Sequence, residues 1–284
     1  MSKHSNVISI LDNKNLSAEL LVKWHSLIEM LGSLESAVVA YSGGVDSTFL
    51  AYSAHLTLGN KMCAVLIETE VESDSMLTNA DMWAEQAEFN YFKLKHQVLH
   101  DRQYTNNPVN RCYFCKVNML KLIHNFAREN GYKWVLEGQN LDDVQDYRPG
   151  QQAVTESGTL SPLREAGLTK ADIRTLAFAI GLSVWDKPSS PCLASRFPYG
   201  HQITQDGLTR VMKSEEFLHQ IGYSNVRVRI HDEIARIEVP SLDRESILKH
   251  AEQITDKLKS FGFKYVTLDL LGYRQGSLNE GITK

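Results

Sequence analysis

The chain is organised around the stretch Ala37-Val-Val-Ala-Tyr-Ser-Gly-Gly-Val-Asp-Ser47. The run Ala37–Ala40 is short and apolar, as in the buried strands of parallel sheets. Ser42-Gly43-Gly44 follows at once, and residues without a Cβ atom let a backbone turn sharply and approach a ligand closely. Ser47 and the next residue then open a predicted helix. A strand, a glycine turn and a helix N-terminus together form an anion site from backbone N–H groups and the helix dipole.

The motif after this strand is Ser-Gly-Gly-x-Asp-Ser, which contains no lysine. A P-loop would instead carry Gly-Lys-Ser/Thr four residues after a glycine. The motif resembles the PP-loop of the ATP pyrophosphatase superfamily, whose members cleave ATP between the α- and β-phosphates and release pyrophosphate. The alternative is a glycine turn of an ordinary α/β domain, but the match of the whole motif behind an apolar strand favours the PP-loop.

The PP-loop resemblance implies a role for each polar or glycine position of the motif. Ser42, Gly43, Gly44 and Ser47 would cradle the pyrophosphate of ATP. Asp46 would help to position the phosphates or Mg²⁺.

Length and composition indicate a globular protein of one large or two modest domains. The chain has 284 residues, of which 43% are hydrophobic and 23% charged, both ordinary values. Its net charge of −4 argues against a general nucleic-acid binder. Because we find no signal peptide and no apolar run of membrane-spanning length, we expect a cytoplasmic protein without a membrane partner.

Strands alternate with helices in the first two thirds of the chain, which predicts a doubly wound parallel sheet. The predicted strands are Ala37–Ala40, Met62–Ile67, Tyr91–Lys95 and Lys133–Glu137, and the predicted helices include Leu16–Leu31, Ser75–Phe89 and Thr169–Ile180.

A loop separates this part from a smaller α+β domain. Trp185–Gly200 contains three prolines, which predicts a long irregular connection of the kind that often carries function. Beyond it we predict helices Thr204–Ile221 and Leu242–Phe261 and strands Val226–Ile230, Ile234–Val239 and Tyr265–Leu270. The predicted divisions are a loose leader (1–15), a PP-loop ATP pyrophosphatase domain (16–200) and an α+β domain for substrate binding and oligomerisation (201–284).

Open parallel α/β sheets bind ligands at the carboxyl ends of their strands. The second strand ends at Ile67 and Glu68, whose backbone we expect to contact adenine. Gly138 and Asp142 follow the fourth strand and complete the predicted nucleotide site. Asp142 also begins an acidic run with aspartates at 143 and 146, for which a Mg²⁺ site, a ribose contact and a solvated loop all stay open.

Three of the four cysteines form a candidate metal-binding set. Cys112 and Cys115 lie three residues apart at a predicted helix start, so both thiols can face one point, and Cys192 lies in the proline-rich loop. Three thiolates are one short of a closed Cys₄ zinc site or a fully ligated iron–sulfur cluster. A [4Fe-4S] cluster, a zinc site with a histidine and a redox pair remain alternatives, whereas Cys63 lies in a predicted strand and is interpreted as a core residue.

Two arginines alternate on a predicted strand of the second domain. Arg227 and Arg229 would lie on one face, about 7 Å apart at roughly 3.3 Å rise per residue. They are interpreted either as a phosphate or carboxylate clamp, which Arg196 joins, or as a solvated edge.

Five segments together resemble the LarE family over the chain from about residue 17 to its C-terminus. They are Tyr41–Thr48, Asp146–Gly150, Ser195–Gly200, Val226–Arg229 and Ala235–Glu238. LarE proteins are ATP-dependent sulfurtransferases that build the nickel-pincer nucleotide cofactor of lactate racemase. The resemblance implies that each carboxylate of pyridinium-3,5-biscarboxylic acid mononucleotide is adenylated by ATP, and that sulfur then displaces AMP to give a thiocarboxylate.

The cysteines decide which LarE type the chain resembles. The best-known type gives up sulfur from one of its own cysteines and is spent after one transfer. Cys112, Cys115 and Cys192 resemble instead the type that holds a [4Fe-4S] cluster, whose open iron would carry a sulfide from an unidentified donor. This departure puts in doubt a sacrificial role for Cys192.

The resemblance implies further roles in the second domain. Arg227 and Arg229 would bind the substrate phosphate, and Arg196 would lie near a carboxylate. Glu215 and Glu238 are added as candidate Mg²⁺ or positioning groups. The family also implies a homo-oligomer.

Two other functions remain as alternatives. A PP-loop tRNA thiolase with a three-cysteine cluster would activate a base carbonyl, but the chain has no further paired cysteines and no broad basic character. A non-catalytic nucleotide-binding regulator would not release pyrophosphate from ATP.

Overall fold

The structure, a computed structural model, describes residues 7, 9–12, 14–145, 150–188 and 191–274. The chain divides into two compact units. The first comprises Met1–Thr69, Asp74–His96 and Cys112–Ser190, and the second comprises Glu70–Ser73, Gln97–Arg111 and Pro191–Lys284.

The first unit is built on a four-stranded, all-parallel sheet. Its strands are β1 (Ala37–Tyr41), β2 (Met62–Glu68), β3 (Tyr91–Lys95) and β4 (Trp134–Leu136). Their spatial order is β3-β2-β1-β4, so the chain reverses its direction of winding next to β1. The predicted α/β fold with a parallel sheet is confirmed.

The helices, in chain order, are α1 (Ala18–Ser33), α2 (Val45–Leu58), α3 (Asp74–Gln86), α4 (Arg102–Thr105), α5 (Arg111–Glu129), α6 (Gly150–Ser157), α7 (Pro162–Glu165), α8 (Lys170–Ala179), α9 (Gln205–Gln220), α10 (Arg244–Leu248) and α11 (Ala251–Ser260).

Both faces of the parallel sheet are covered, because side chains along each strand alternate between two cores. One core contains Trp24 of α1, Phe49 of α2 and Ile173 of α8. The other contains Ile123 of α5 and, as predicted for a packing residue, Cys63 of β2. The sheet is therefore doubly wound, and the carboxyl ends of its strands form one edge.

The second unit carries a three-stranded sheet. Its strands are β5 (Arg227–His231), β6 (Ile234–Glu238) and β7 (Tyr265–Leu268), in the order β5-β6-β7. β5 pairs antiparallel with β6, and β6 pairs parallel with β7. Among the described residues, no helix combines the length and apolarity needed to cross a membrane.

Several local predictions differ from the structure. Helix α2 begins at Val45 rather than Ser47, because Gly44 already serves as its N-cap. The predicted helix Leu242–Phe261 is two helices, α10 and α11. In the predicted leader, Val7 and Leu11 are buried in the first core, since apolar residues four apart share one side of a helical turn.

The unit boundary also differs from the predicted one at residue 200. The loop after Pro191 pairs with segments from earlier in the chain: the Leu193 N–H donates to the Val71 carbonyl at 2.9 Å, and the Ile203 N–H to the Thr105 carbonyl at 2.9 Å. These backbone bonds place residues 191–200 in the second unit, together with Glu70–Ser73 and Gln97–Arg111, which lie within the predicted first domain.

Candidate active site

The PP-loop joins β1 to α2 and holds its own shape through two serines. The hydroxyls of Ser42 and Ser47 lie 3.0 Å apart, and the Ser47 hydroxyl also accepts the Ser42 N–H at 3.2 Å. Ser47 donates to the Gly44 carbonyl at 3.2 Å. Because no side chain caps α2, its first N–H groups remain available to an anion.

Two glycines of the site are required by close backbone packing. Gly43 has φ +64°, and a Cβ atom there would lie 2.7 Å from Cβ of Ala80. A Cβ atom on Gly138 would lie 3.0 Å from the backbone nitrogen of Ser47. Since β4 is the neighbour of β1, Gly138 brings the end of β4 directly against the PP-loop.

Asp46 forms an ion pair within this loop. Nζ of Lys170 lies 2.6 Å from Oδ2 of Asp46. Burial raises the pKa of the Asp46 carboxyl, and the Lys170 ammonium opposes that shift. The other oxygen, Oδ1, is buried and has no hydrogen-bond partner among the described residues, so it is a candidate ligand for a cation.

A second lysine reaches the loop from a distant part of the chain. Nζ of Lys187 donates to the Gly43 carbonyl at 3.0 Å, and burial lowers the pKa of this lysine. Neither Lys170 nor Lys187 has a role that was predicted from the sequence. The one available signal was that Lys187 lies in the long proline-rich loop.

At the end of β2, the expected adenine contacts are partly engaged within the sheet. The Glu68 carbonyl accepts the His96 N–H at 2.9 Å. The side-chain carboxylate of Glu68 lies 3.6 Å from the Lys93 ammonium. The Ile67 side chain is buried.

The acidic run after β4 supports local structure. Asp142 accepts the backbone N–H of Lys170 at 2.8 Å, and so helps to fix the start of α8. Asp143 accepts the Asn140 N–H at 3.1 Å. The remaining aspartate, Asp146, lies outside the described residues, as does the rest of the motif up to Pro149.

The three candidate cluster ligands are divided between the units. Cys112 and Cys115 lie in the first turn of α5, where Cys112 is exposed and Cys115 half-buried, and Cys192 belongs to the second unit. None of them forms a disulfide, and burial raises the pKa of the core thiol Cys63 to about 11. In the part of the chain that the structure describes, no three His, Cys, Asp or Glu side chains are grouped as metal ligands.

Arg196 and Glu215 form a two-pronged ion pair in the second unit. Nε and Nη2 of Arg196 each donate to one oxygen of Glu215 at 2.8 Å. Glu215 also accepts the Val228 N–H at 2.9 Å. Both side chains are buried, so Glu215 holds the arginine and β5 in place.

Arg229 forms a second buried pair, with Glu238. Their side chains are 2.9 Å apart, and Arg229 also donates to the Ser195 carbonyl at 2.6 Å. Arg236 reaches the other oxygen of Glu238 at 3.0 Å. The carboxylates of Glu215 and Glu238 are thus paired with arginines, and their role as Mg²⁺ or positioning groups stays a prediction.

Arg227 differs from Arg229 although both belong to β5. It is half-buried, and its guanidinium stacks 5.3 Å from the ring centre of Tyr273. Of the two predicted clamp residues, Arg227 is the one whose guanidinium forms no ion pair among the described residues.

Asn107 holds the loop that follows Arg196. Its amide donates to the carbonyls of Pro198 at 2.7 Å and His201 at 3.0 Å, and its oxygen accepts from Arg111. Sequence reasoning missed this residue, since its partners lie about ninety positions away.

Comparisons with known proteins agree with this geometry. A family model described as thiamine biosynthesis protein (ThiI) matches residues 32–219. The chain is 41% identical to the uncharacterized protein slr1717 of Synechocystis sp., over 92% of this chain and 98% of that protein. It is 38% identical to pyridinium-3,5-bisthiocarboxylic acid mononucleotide synthase of Lactiplantibacillus plantarum, over 94% of this chain and 97% of the relative. It is 30% identical to the uncharacterized protein MJ0830 of Methanocaldococcus jannaschii, over 84% and 90%. With a PP-loop at the edge of a parallel sheet and relatives aligned over nearly their whole length, the chain belongs to the LarE family of ATP-dependent, PP-loop sulfurtransferases.

Proposed function

We propose that this protein uses ATP and a sulfide-like donor to convert carboxylates of pyridinium-3,5-biscarboxylic acid mononucleotide into thiocarboxylates, for the nickel-pincer nucleotide. The observation that carries the proposal is the Ser42–Ser47 loop, whose open helix N-terminus suits a pyrophosphate leaving group. The synthase of L. plantarum, aligned over 94% of this chain, supports the choice of substrate.

The first step makes a poor electrophile reactive. A substrate carboxylate oxygen attacks the α-phosphorus of ATP, the bond to the bridging oxygen breaks, and pyrophosphate leaves. Backbone N–H groups at Gly44 and at the start of α2 stabilise the charge that develops on the leaving group. The sulfur nucleophile then attacks the acyl carbon, and AMP leaves with the electron pair of the broken carbon–oxygen bond.

Mg²⁺ fits the loop through Asp46. Its buried Oδ1 atom lacks a hydrogen-bond partner among the described residues, and Mg²⁺ in nucleotide sites typically takes one or two carboxylates together with phosphate oxygens. Asp46 would hold the ion, which would neutralise phosphate charge.

The second unit would bind the substrate. Arg227, half-buried on β5, would bind the substrate phosphate, and Arg229 would help to orient that phosphate. Arg196 would orient a carboxylate of the substrate. Glu215 holds Arg196 through two hydrogen bonds, and Glu238 accepts one from Arg229, so we assign both carboxylates a positioning role.

A [4Fe-4S] cluster fits the chemistry of the cysteine set, and the proposal that the set acts together rests on the sequence. Cys112, Cys115 and Cys192 are thiols rather than disulfides, and thiolates are the usual ligands of iron–sulfur clusters. When held by three thiolates, such a cluster has one iron without a protein ligand, which can carry an exogenous sulfide. We further propose a cytoplasmic homo-oligomer, as the family resemblance implies.

The function is tested by incubating the anaerobically prepared protein with ATP, Mg²⁺, sulfide and the biscarboxylate nucleotide. We expect pyrophosphate and AMP, and thiocarboxylate product by mass spectrometry, with both reduced strongly in Ser47→Ala. Release of ADP and phosphate, or no sulfur in the nucleotide, would overturn the proposal. Sulfur in tRNA instead would favour the thiolase alternative.

A further inference from the structure

We propose that Lys187 binds the β- and γ-phosphates of ATP, and so takes the place of the lysine that a P-loop carries within its own motif. The inference rests on the proposed function, since it assigns one more residue to the same nucleotide site.

The motif itself supplies little positive charge. Between Ser42 and Ser47 there is no lysine or arginine, and its one ionisable side chain is the acidic Asp46. Backbone N–H groups and a helix dipole amount to about half an elementary charge, whereas the triphosphate of ATP carries several. A cation from elsewhere in the chain would add to this charge beside the glycine turn, together with the Mg²⁺ proposed at Asp46.

Lys187 is placed at that turn, and no carboxylate of the described residues supplies it with a counter-charge. Its ammonium lies 3.0 Å from the Gly43 carbonyl oxygen, and among the described residues it forms no ion pair. Three other lysines of the first unit are paired: Lys170 with Asp46, Lys116 with Glu137 and Lys93 with Asp81. An ammonium has three donors, and the Gly43 carbonyl accepts from one of them.

Because Lys187 is half-buried, its positive charge is costly unless an anion lies beside it. Desolvation lowers the pKa of Lys187, so its charged form is disfavoured in the protein alone. A phosphate anion beside the ammonium would reverse that cost, because a charge-assisted hydrogen bond is roughly twice as strong as a neutral one.

The segment that carries Lys187 is fixed to a rigid helix. Arg174 of α8 donates to the Trp185 carbonyl and to the Lys187 carbonyl, each at 2.6 Å. On the opposite side of α8, Leu176 is fully buried in the first core. The Lys187 backbone is therefore held in place before ATP arrives, which lowers the entropic cost of binding.

The alternative is that Lys187 only ties its loop to the PP-loop. The two roles differ in which ligands they affect, because a contact with the β- and γ-phosphates is made by ATP and pyrophosphate but not by AMP. If Lys187 were only a tether, its loss would alter the whole loop and weaken the binding of ATP, pyrophosphate and AMP alike.

The experiment is calorimetric titration of the full-length protein with ATP, pyrophosphate and AMP. Lys187→Met should weaken ATP and pyrophosphate binding at least about tenfold and leave AMP within about twofold. Lys187→Arg should restore part of the loss. Lys133→Met is the matched control, since Lys133 is an exposed lysine of the same unit, paired with Glu35, and its titrations should match the wild type.

Unchanged ATP binding in Lys187→Met, or equal weakening of ATP and AMP in a variant with a wild-type unfolding midpoint, would overturn the inference and leave the proposed function standing. Failure of the wild type to bind ATP at all would overturn both.

Discussion

The ammonium of Lys170 lies 2.6 Å from Oδ2 of Asp46, so the first residue of α8 neutralises the acidic residue of the PP-loop. The two residues are 124 positions apart in sequence, and α8 packs beside α2 in the same core. The loop is thus assembled by tertiary structure as well as by its own motif.

We expect Lys170→Met to destabilise the protein by about 1–2 kcal/mol, because it leaves the largely buried Asp46 carboxylate without its counter-charge. The value lies between those of exposed and fully buried pairs, since both side chains keep some exposure. Urea denaturation of Lys170→Met, Asp46→Asn and the double variant measures the coupling. Additive losses in the cycle would contradict a stabilising pair.

Gly138→Ala should disrupt the nucleotide site from the side of β4. The new Cβ atom would meet the backbone of Ser47 at 3.0–3.1 Å, and backbone atoms cannot rotate away as a side chain could. We expect a loss of about 1–3 kcal/mol in stability and much weaker ATP binding by calorimetry.

Gly150→Ala is the control for this substitution. Its new Cβ atom would meet neighbours only at 3.6–3.8 Å, which is ordinary contact in the first turn of a helix. Stability should stay the same or rise. Wild-type ATP affinity in Gly138→Ala would show that the close approach is not needed.

The central sheet could be predicted because three of its strands, β1, β2 and β4, are apolar runs that begin and end next to polar residues. β3 has the predicted bounds Tyr91–Lys95 and β2 differs by one residue. The break between α10 and α11 was missed, since apolar residues at helical spacing continue across Lys249 and His250. Periodicity reports which face is apolar and does not report where a backbone turns.

The glycine and serine positions of the site were predictable for a related reason, as the PP-loop is contiguous in sequence. Ion pairs between distant segments were not. From the sequence, Glu215 and Glu238 were candidate Mg²⁺ or positioning groups, but folding gives each an arginine partner that local patterns cannot identify. Lys187 was missed in the same way, because its contact with Gly43 spans 144 positions.

Glu238→Gln should destabilise the ligand-free protein, without any added Mg²⁺. It removes the charge that compensates the buried Arg229 guanidinium, and breaking a buried pair costs about 3–5 kcal/mol. Glu233→Gln is the matched control: Glu233 is exposed and pairs with Lys264 at the surface, so its change should stay within about 0.5 kcal/mol. Thermal unfolding of both variants checks this.

A different result would support the predicted metal role. If Glu238→Gln kept the wild-type unfolding midpoint but needed more Mg²⁺ for pyrophosphate release, Glu238 would be a metal ligand after all.

Anaerobic reconstitution with iron and sulfide tests the proposed role of the cysteines. We expect about four irons and matching acid-labile sulfide per chain, because three thiolates can hold a cubane with one iron open. Cys112→Ala, Cys115→Ala and Cys192→Ala should each lose most of this iron, whereas Cys63→Ala should keep it, since Cys63 is fully buried between the sheet and α5.

Zinc in place of iron, or iron that persists in all three variants, would rule out the three-thiolate cluster. Mass spectrometry of Cys192 after turnover then separates the two sulfur routes. An intact cysteine is expected if an exogenous sulfide supplies the sulfur, because the thiol then serves only as a ligand. Loss of its sulfur as dehydroalanine would instead make Cys192 the donor and limit each chain to one transfer.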